Sequence, residues 1–501
     1  IWNSLTKYIS KHKRYPNAKW ALPPEIISKI EGINLKLAPA NPLNLYRRLF
    51  DERDFDLYEE SENWEEQRLT LEKRRKLAIN EILKHGGITA VFEFAENVQA
   101  SLLVGSVLGI DGNSEIDEIL LPKYLEGESL KLIQFTAGYV WNSQRTRGWS
   151  WVDGLDSSKW SKTQASQFLR CLPFAMETWD RVGSWLGSAE KEYWSKVNVN
   201  PYESNANLEF AINKLLNYER PNAAIDCLSK IHYDKKLLDQ KLTVRALLNA
   251  ISSKEPSNAM DTHNIIEIIK DLQDDPETNP DDLFQIEWAY LPLLDHYQGA
   301  SPKLLESRLA SDPAFFCEAI RFVYRSKKEN KSKIDTTENE KAIATNAWRL
   351  LHEWKTPPGT QPEGPFSAEI FKEWLGKVKD FCAESGHLEV ALTHVGHVLF
   401  YCPPDSQGLW INQAAAEALN SKDAEDMRNG FNSEIFNSRG VHWIDPTGKP
   451  EQELAEQYRQ KANEIENAGY QRFAATLRIL AEEYDRDAER IINEHKEDGE
   501  L

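Results

Sequence analysis

Apolar residues along this chain recur at three- and four-residue intervals, the spacing that lines one face of an α-helix. They seldom alternate as a half-buried strand requires. The segment from Glu59 to His85 shows this most clearly, with Leu69, Leu71, Ile79, Ile82 and Leu83 mostly toward one side. Glu59, Glu60, Glu62, Glu65 and Glu66 crowd its start, and Lys73, Arg74, Arg75, Lys76 and Lys84 its later half, an order that complements the helix dipole. Gly86-Gly87 predicts the end of this helix, and Ile88 to Val98 the start of another.

Further along, the pattern changes character. Residues 131–197 hold seven of the sixteen tryptophans, including Trp149 and Trp151 in the stretch from Arg145 to Gly154, which reads as a loop. From Asn205 the pattern becomes regular. Leu208, Ala211, Leu215 and Leu216 make one helical face, Glu219 to Asn222 a turn, and Ala224, Leu228 and Ile231 the facing helix. Helices are expected at about 237–252, 262–274, 281–295, 302–310 and 312–326. The charged stretch Ser326 to Glu340 and the breaker Pro357 to Pro365 bracket a further helix, about 341–354. Two long amphipathic helices, about 450–467 and 469–495, close the chain. The expected fold is all-α: an irregular helical domain, tryptophan-rich in its second half (1–200), a helical-repeat region (201–330), a linker with one helix (331–365), and a second repeat region ending in a long hairpin (366–501).

One hairpin carries a resemblance. Leu375, Val378 and Cys382 line its first helix, Ser385-Gly386 makes the turn, and Ala391, Val395 and Val398 lead to Pro403. The last four residues match the second-helix positions and final proline of the tetratricopeptide repeat, which this unit resembles. The unit from Leu208 to Ile231 is similar, with Lys236 where the proline would stand. Lys379 and Ile212 occupy the position of that repeat's usual first-helix glycine. The resemblance covers two units and implies an α-solenoid of antiparallel hairpins whose concave surface receives a protein or peptide.

Composition narrows the function classes. No apolar run approaches the ~18–20 residues of a membrane span, and the longest, such as Ala100 to Ile110, contain glycine. Five scattered cysteines form no disulfide framework, so a reduced cytoplasm is the expected compartment. A net charge of −19 opposes non-specific nucleic-acid binding. The first residue is Ile, within a stretch that already reads as helix, so the chain is expected to be cut from a longer protein, with room for a catalytic domain upstream.

Candidate chemistry is sparse. The sequence has no Walker-type phosphate loop, dinucleotide fingerprint, nucleophile elbow, His-Glu-x-x-His helix or Cys-x-x-Cys pair. His387, His394 and His397 could share a helix face as a zinc site, with Cys382 and Cys402 nearby. The competing reading is interfacial histidines with cysteines as small hydrophobes, so no metal or cofactor is expected. The loop from Phe436 to Pro450 concentrates Arg439, His442, Trp443 and Asp445. It is read as Trp443 filling a hydrophobic gap above a turn, as a partner contact, or as a catalytic site with His442 as base and Asp445 as its orienting carboxylate. The acidic run Asp274, Asp275, Glu277, Asp281 and Asp282 lacks calcium-loop spacing and reads as a solvated turn.

The favoured expectation is a scaffold or sensor module, part of a larger bacterial defence or signalling protein, that binds another protein or peptide. Its contact residues would be drawn from Arg145, Arg147, Trp149, Trp151, Arg439, His442 and Trp443. A homo-oligomer is a further possibility. The alternatives are an enzyme of unrecognised type using the 436–450 loop or the histidine cluster, and a nucleic-acid sensor using the Arg/Trp surface.

Overall fold

The structure is a computed structural model that describes residues 1–51, 64–203, 208–256, 261–294, 296, 299–328, 337–361, 365–440 and 443–497. Among the described residues it holds 24 α-helices and no strand, so the fold is all-α. No helix of the described residues is long and apolar enough to cross a membrane. The chain divides into two compact units, Ile1–Leu242 with Ser253–Ser257, and Thr243–Ser252 with Asn258–Leu501.

In the first unit the expected break at Gly86-Gly87 interrupts the helix Trp64–Asn97, where Gly87 takes φ +65°, a conformation that a side chain would oppose. Residues 59–63 of the expected helix start lie outside the described residues. The stretch from Arg145 to Gly154, expected as a loop, is instead helical. The helix Leu130–Asp153 runs through it with one break at Gly148, whose φ of +71° and ψ of −172° are open almost only to glycine. Glycine absorbs the break at one residue, so the chain on both sides stays helical and keeps its aromatic rings packed.

The most extensive helix contact in this unit is the crossing of Ser101–Ile110 with Leu130–Asp153. A Cβ on Gly105 would stand 1.7 Å from the Phe135 carbonyl oxygen, and one on Gly138 would stand 2.0 Å from that of Leu102. The hydrogens in those places allow backbone-to-backbone contact with Cα–H···O character. The hairpin Glu209–Asn217 and Pro221–Tyr233 has the expected helices; Ala211, Leu215, Leu216, Ala224 and Leu228 are buried.

The second unit holds one continuous core. The helix within the 331–365 segment, Glu338–Glu353, starts with a capping box between Thr337 and Glu340 and gives Ala347, Leu350 and Leu351 to that core. The hairpin Ala368–Ser385 and Leu388–Leu399 buries Val378, Cys382, Ala391, Val395 and Val398. The helix closest to Leu388–Leu399 is Glu425–Asn437, not its hairpin mate. Glycines again set this approach: a Cβ on Gly396 would stand 2.0 Å from the Met427 oxygen, and one on Gly430 would stand 2.0 Å from the Thr393 oxygen. The C-terminal pair, Lys449–Asn467 and Gln471–Glu497, follows the expected pattern, with Phe473, Leu477, Leu480, Ala481 and Tyr484 buried.

Candidate interaction surface

Asp117 sits near the middle of Ser114–Leu120, a helix that starts where the Asn113 side chain accepts from the Ile116 amide. Its carboxylate is buried beneath Leu130–Asp153. Arg147 donates to both of its oxygens at 2.9 and 2.7 Å, Tyr139 Oη donates at 2.7 Å and Trp151 Nε1 at 3.0 Å. The Arg147 guanidinium also lies 4.4 Å from the Trp151 ring centre. Burial and the adjacent Asp117 carboxylate push the Tyr139 phenol well above its ordinary range. Arg147 and Trp151 are therefore committed to an internal network.

The remaining two candidates of this stretch differ from each other. Trp149 receives the Arg181 guanidinium at 4.4 Å, and Arg181 donates to both oxygens of Asp153 at 2.8 Å. Arg145 is exposed and has no hydrogen bond or ion pair to any described residue. It stands at a groove of about 450 Å³ whose walls include Leu103, Ser106, Trp141 and Asn142.

In the 436–450 loop, Arg439 turns inward: it donates to the buried Glu451 at 2.9 Å and stacks 5.4 Å from the Tyr484 ring. Asp445 accepts from the backbone amide and hydroxyl of Thr447 at 2.9 and 2.7 Å, bonds that hold its carboxyl below the usual range. Gly448 then begins Lys449–Asn467. Both ends of the loop are tied, and Trp443 and Ile444 project between them, 98% and 57% exposed. Trp443 thus fills no gap. Phe436, against Tyr484 at 5.2 Å, is the aromatic that packs on the core there. His442 lies outside the described residues.

The three candidate histidines do not converge. His387 stands at the hairpin turn, with Nδ1 3.0 Å from Ser385 Oγ and Nε2 3.1 Å from the Tyr324 carbonyl. His394 Nε2 is 2.8 Å from Tyr324 Oη, and its ring lies 5.3 Å from His397 and 5.4 Å from His352. Burial, then the neighbouring imidazoles, push His394 down to about 3 and His397 down to about 4, so both are neutral near pH 7. Among the described residues no three His, Cys, Asp or Glu side chains are placed to hold a metal. Cys382 lies in the core, its Sγ 3.3 Å from that of Cys317, and Cys402 is buried.

One surface feature had no counterpart in the sequence reading. Phe284, Trp288, Phe315, Phe322 and Ile343 line an apolar groove of about 270 Å³ with Glu318 on it. The Phe284 and Trp288 rings are parallel within 3°, and the Arg308 guanidinium lies 4.9 Å from Phe284. Glu318 is exposed and pairs with no described residue. The i, i+4 pair of Phe284 and Trp288 and the i, i+7 pair of Phe315 and Phe322 are local traces of it, and such pairs read equally as core.

No protein-family model matches this chain, and neither a curated protein nor a solved structure matches it, so these surfaces are read on their own chemistry.

Proposed function

We propose that the chain is a protein-interaction scaffold or sensor module that holds another protein or peptide through the 436–450 loop, with Trp443 as the anchor. The observation that carries this is the 98% exposure of Trp443 on a loop tied at both ends. A tryptophan left in water is costly to the free chain and rewarding to bury, and tryptophan is among the residue types that dominate binding energy. The tethers at Arg439 and Asp445 reduce the ordering cost on binding. On the fold, the proposal extends to a tetratricopeptide-like arrangement at Ala368–Leu399 and Glu209–Tyr233. It is supported by the paired helices and by the burial of Ala391, Val395 and Val398. The catalytic alternative loses ground because Arg439 and Asp445 are committed to Glu451 and Thr447. The nucleic-acid alternative retains only Arg145 of its two arginines.

The test compares the wild-type chain with Trp443→Ala and Arg145→Ala as baits in lysate. Trp443→Ala is expected to lose a captured protein at least tenfold, as truncation of a central anchor does, while Arg145→Ala keeps it. Equal capture by wild type and Trp443→Ala would overturn the proposal.

A further inference from the structure

The second unit carries both an apolar knob and an apolar hole. Trp443 and Ile444 protrude, and Trp443, at 98% exposure, is not seated in the groove of its own chain. The groove of about 270 Å³ lies below the ~300–1,000 Å³ typical of small-molecule sites, which suits one large side chain better than a cofactor. Four of its wall residues are aromatic, and offset or edge-on ring contacts favour an aromatic guest. Phe322 at its mouth is 48% exposed, so the rim is open. Arg308 and Glu318 flank the groove, and Asp445 and the Lys449–Glu453 ion pair follow the knob. Both rims carry acid and base together, so neither presents a single sign of charge that would repel the other.

We infer that Trp443 of one chain enters the Phe284/Trp288/Phe315/Phe322 groove of a second copy. This rests on the reading of Trp443 as an anchor and names the partner as the chain itself. Knob and hole are different surfaces, so the contact is heterologous. Each chain keeps one unused knob or one unused hole, and association proceeds beyond the dimer unless the rotation closes a ring. A single Trp–Ile knob buries much less than a standard interface of about 1,600 Å², so the association is weak. The net charge of −19 repels the copies. Added salt screens that repulsion without weakening the apolar contact, so assembly strengthens as ionic strength rises.

Sedimentation equilibrium of the full chain, up to a concentration of about 200 µM, tests this at low and high salt, a range that reaches weak self-association. Wild type is expected to show a weight-average mass that climbs with concentration and with salt. Trp443→Ala and Phe322→Asp, both at exposed positions, are each expected to weaken association about 30-fold or more, the loss of a hot-spot residue. An equimolar mixture of the two variants is decisive. The Trp443→Ala chain keeps its groove and the Phe322→Asp chain keeps its knob, so together they form a heterodimer that cannot grow. A wild-type chain that stays monomeric, a Trp443→Ala chain that still assembles, or a mixture that stays monomeric would each overturn the inference. If wild type is monomeric but Trp443→Ala still loses a different protein from lysate, the second-copy inference fails and the interaction proposal stands. If Trp443→Ala changes neither measurement, both fail.

Discussion

Each unit contains a helix crossing made by glycine, and the two crossings carry opposite chemistry. Ser101–Ile110 meets Leu130–Asp153 through Gly105, Gly109 and Gly138. Leu388–Leu399 meets Glu425–Asn437 through Gly396 and Gly430. Both bring backbone onto backbone, where even a methyl group has no room. Around the first crossing the polar groups are charged and paired: Asp117 takes donors from Arg147, Tyr139 and Trp151, and Asn142 donates to Ser106. Beside the second they are the neutral imidazoles of His394 and His397, near Tyr324 and His352. The close approach is thus a backbone property, indifferent to the neighbouring chemistry. That chemistry decides how each unit answers to solution conditions.

The largest expected effect breaks both crossings alike. Gly105→Ala would place its Cβ 1.7 Å from the Phe135 oxygen, and Gly396→Ala would place it 2.0 Å from that of Met427. The obstacle is backbone in both cases, so a helix must move. The cost is expected at about 5 kcal/mol or more, beyond ordinary overpacking. Urea titration followed by circular dichroism should show an early transition for each variant. If either matches wild type, close packing does not hold that unit.

The next effect separates them. Arg147→Met leaves the Asp117 carboxylate buried without its cation, a loss expected at about 3 kcal/mol at neutral pH, since the Arg147 side chain is itself partly exposed. A urea midpoint unchanged from wild type would show that the network is not structural. In the second unit the corresponding lever is pH. The folded pKa values of His394 and His397, about 3 and about 4, lie below the unfolded value of about 6.5. Protons therefore bind the unfolded chain first. The stabilisation from keeping these rings neutral is complete above pH ~6.5 and is lost as pH falls toward 4 and then 3. Glu434, raised by burial, works the other way and offsets part of this. The net loss from pH 7 to pH 5 is expected at about 3 kcal/mol, read from urea midpoints at the two pH values. His394→Gln with His397→Gln should flatten the dependence. The first crossing has no histidine on either helix, so a variant that keeps the full acid sensitivity would move its origin elsewhere.

How much of this was legible depends on the range over which each feature is built. The helices themselves, the break at Gly86-Gly87 and the C-terminal pair follow from local periodicity and breakers. Gly105 and Gly109 stand four apart, which reveals a flat helix face in the sequence, but nothing local names Gly138 as what meets it. Gly396 and Gly430 are single glycines on separate helices, with no spacing to notice. Arg145 and Arg147 look interchangeable two residues apart. Asp117, thirty residues upstream of Arg147, draws one inward and leaves the other in solvent. Trp443 reads from the sequence both as a ring filling a hydrophobic gap, where aromatic rings usually sit, and as a partner contact. Its exposure follows from tethers at Glu451 and Thr447 that no hydropathy pattern encodes. The aromatic groove joins three helices across residues 284–347, so it exists only after folding.

The smallest expected effect is also a control for the largest. Gly183 lies inside Met176–Leu186 in the first unit and Gly376 inside Ala368–Ser385 in the second. Neither has a positive φ, and an added Cβ at either would meet nothing within 4 Å. Glycine in such a place only loosens the helix, because the unfolded chain has more freedom to lose. Gly183→Ala and Gly376→Ala should therefore each stabilise the chain, by about 0.4–1 kcal/mol, seen as a later urea midpoint with an unchanged slope. The same change, glycine to alanine in a helix interior, then has opposite signs at Gly376 and at Gly396. Helix propensity predicts stabilisation at both positions, and only the backbone opposite Gly396 reverses it. If Gly376→Ala were instead as damaging as Gly396→Ala, the glycines would matter for the helices they sit in, and the close crossing would lose its claim to set the fold.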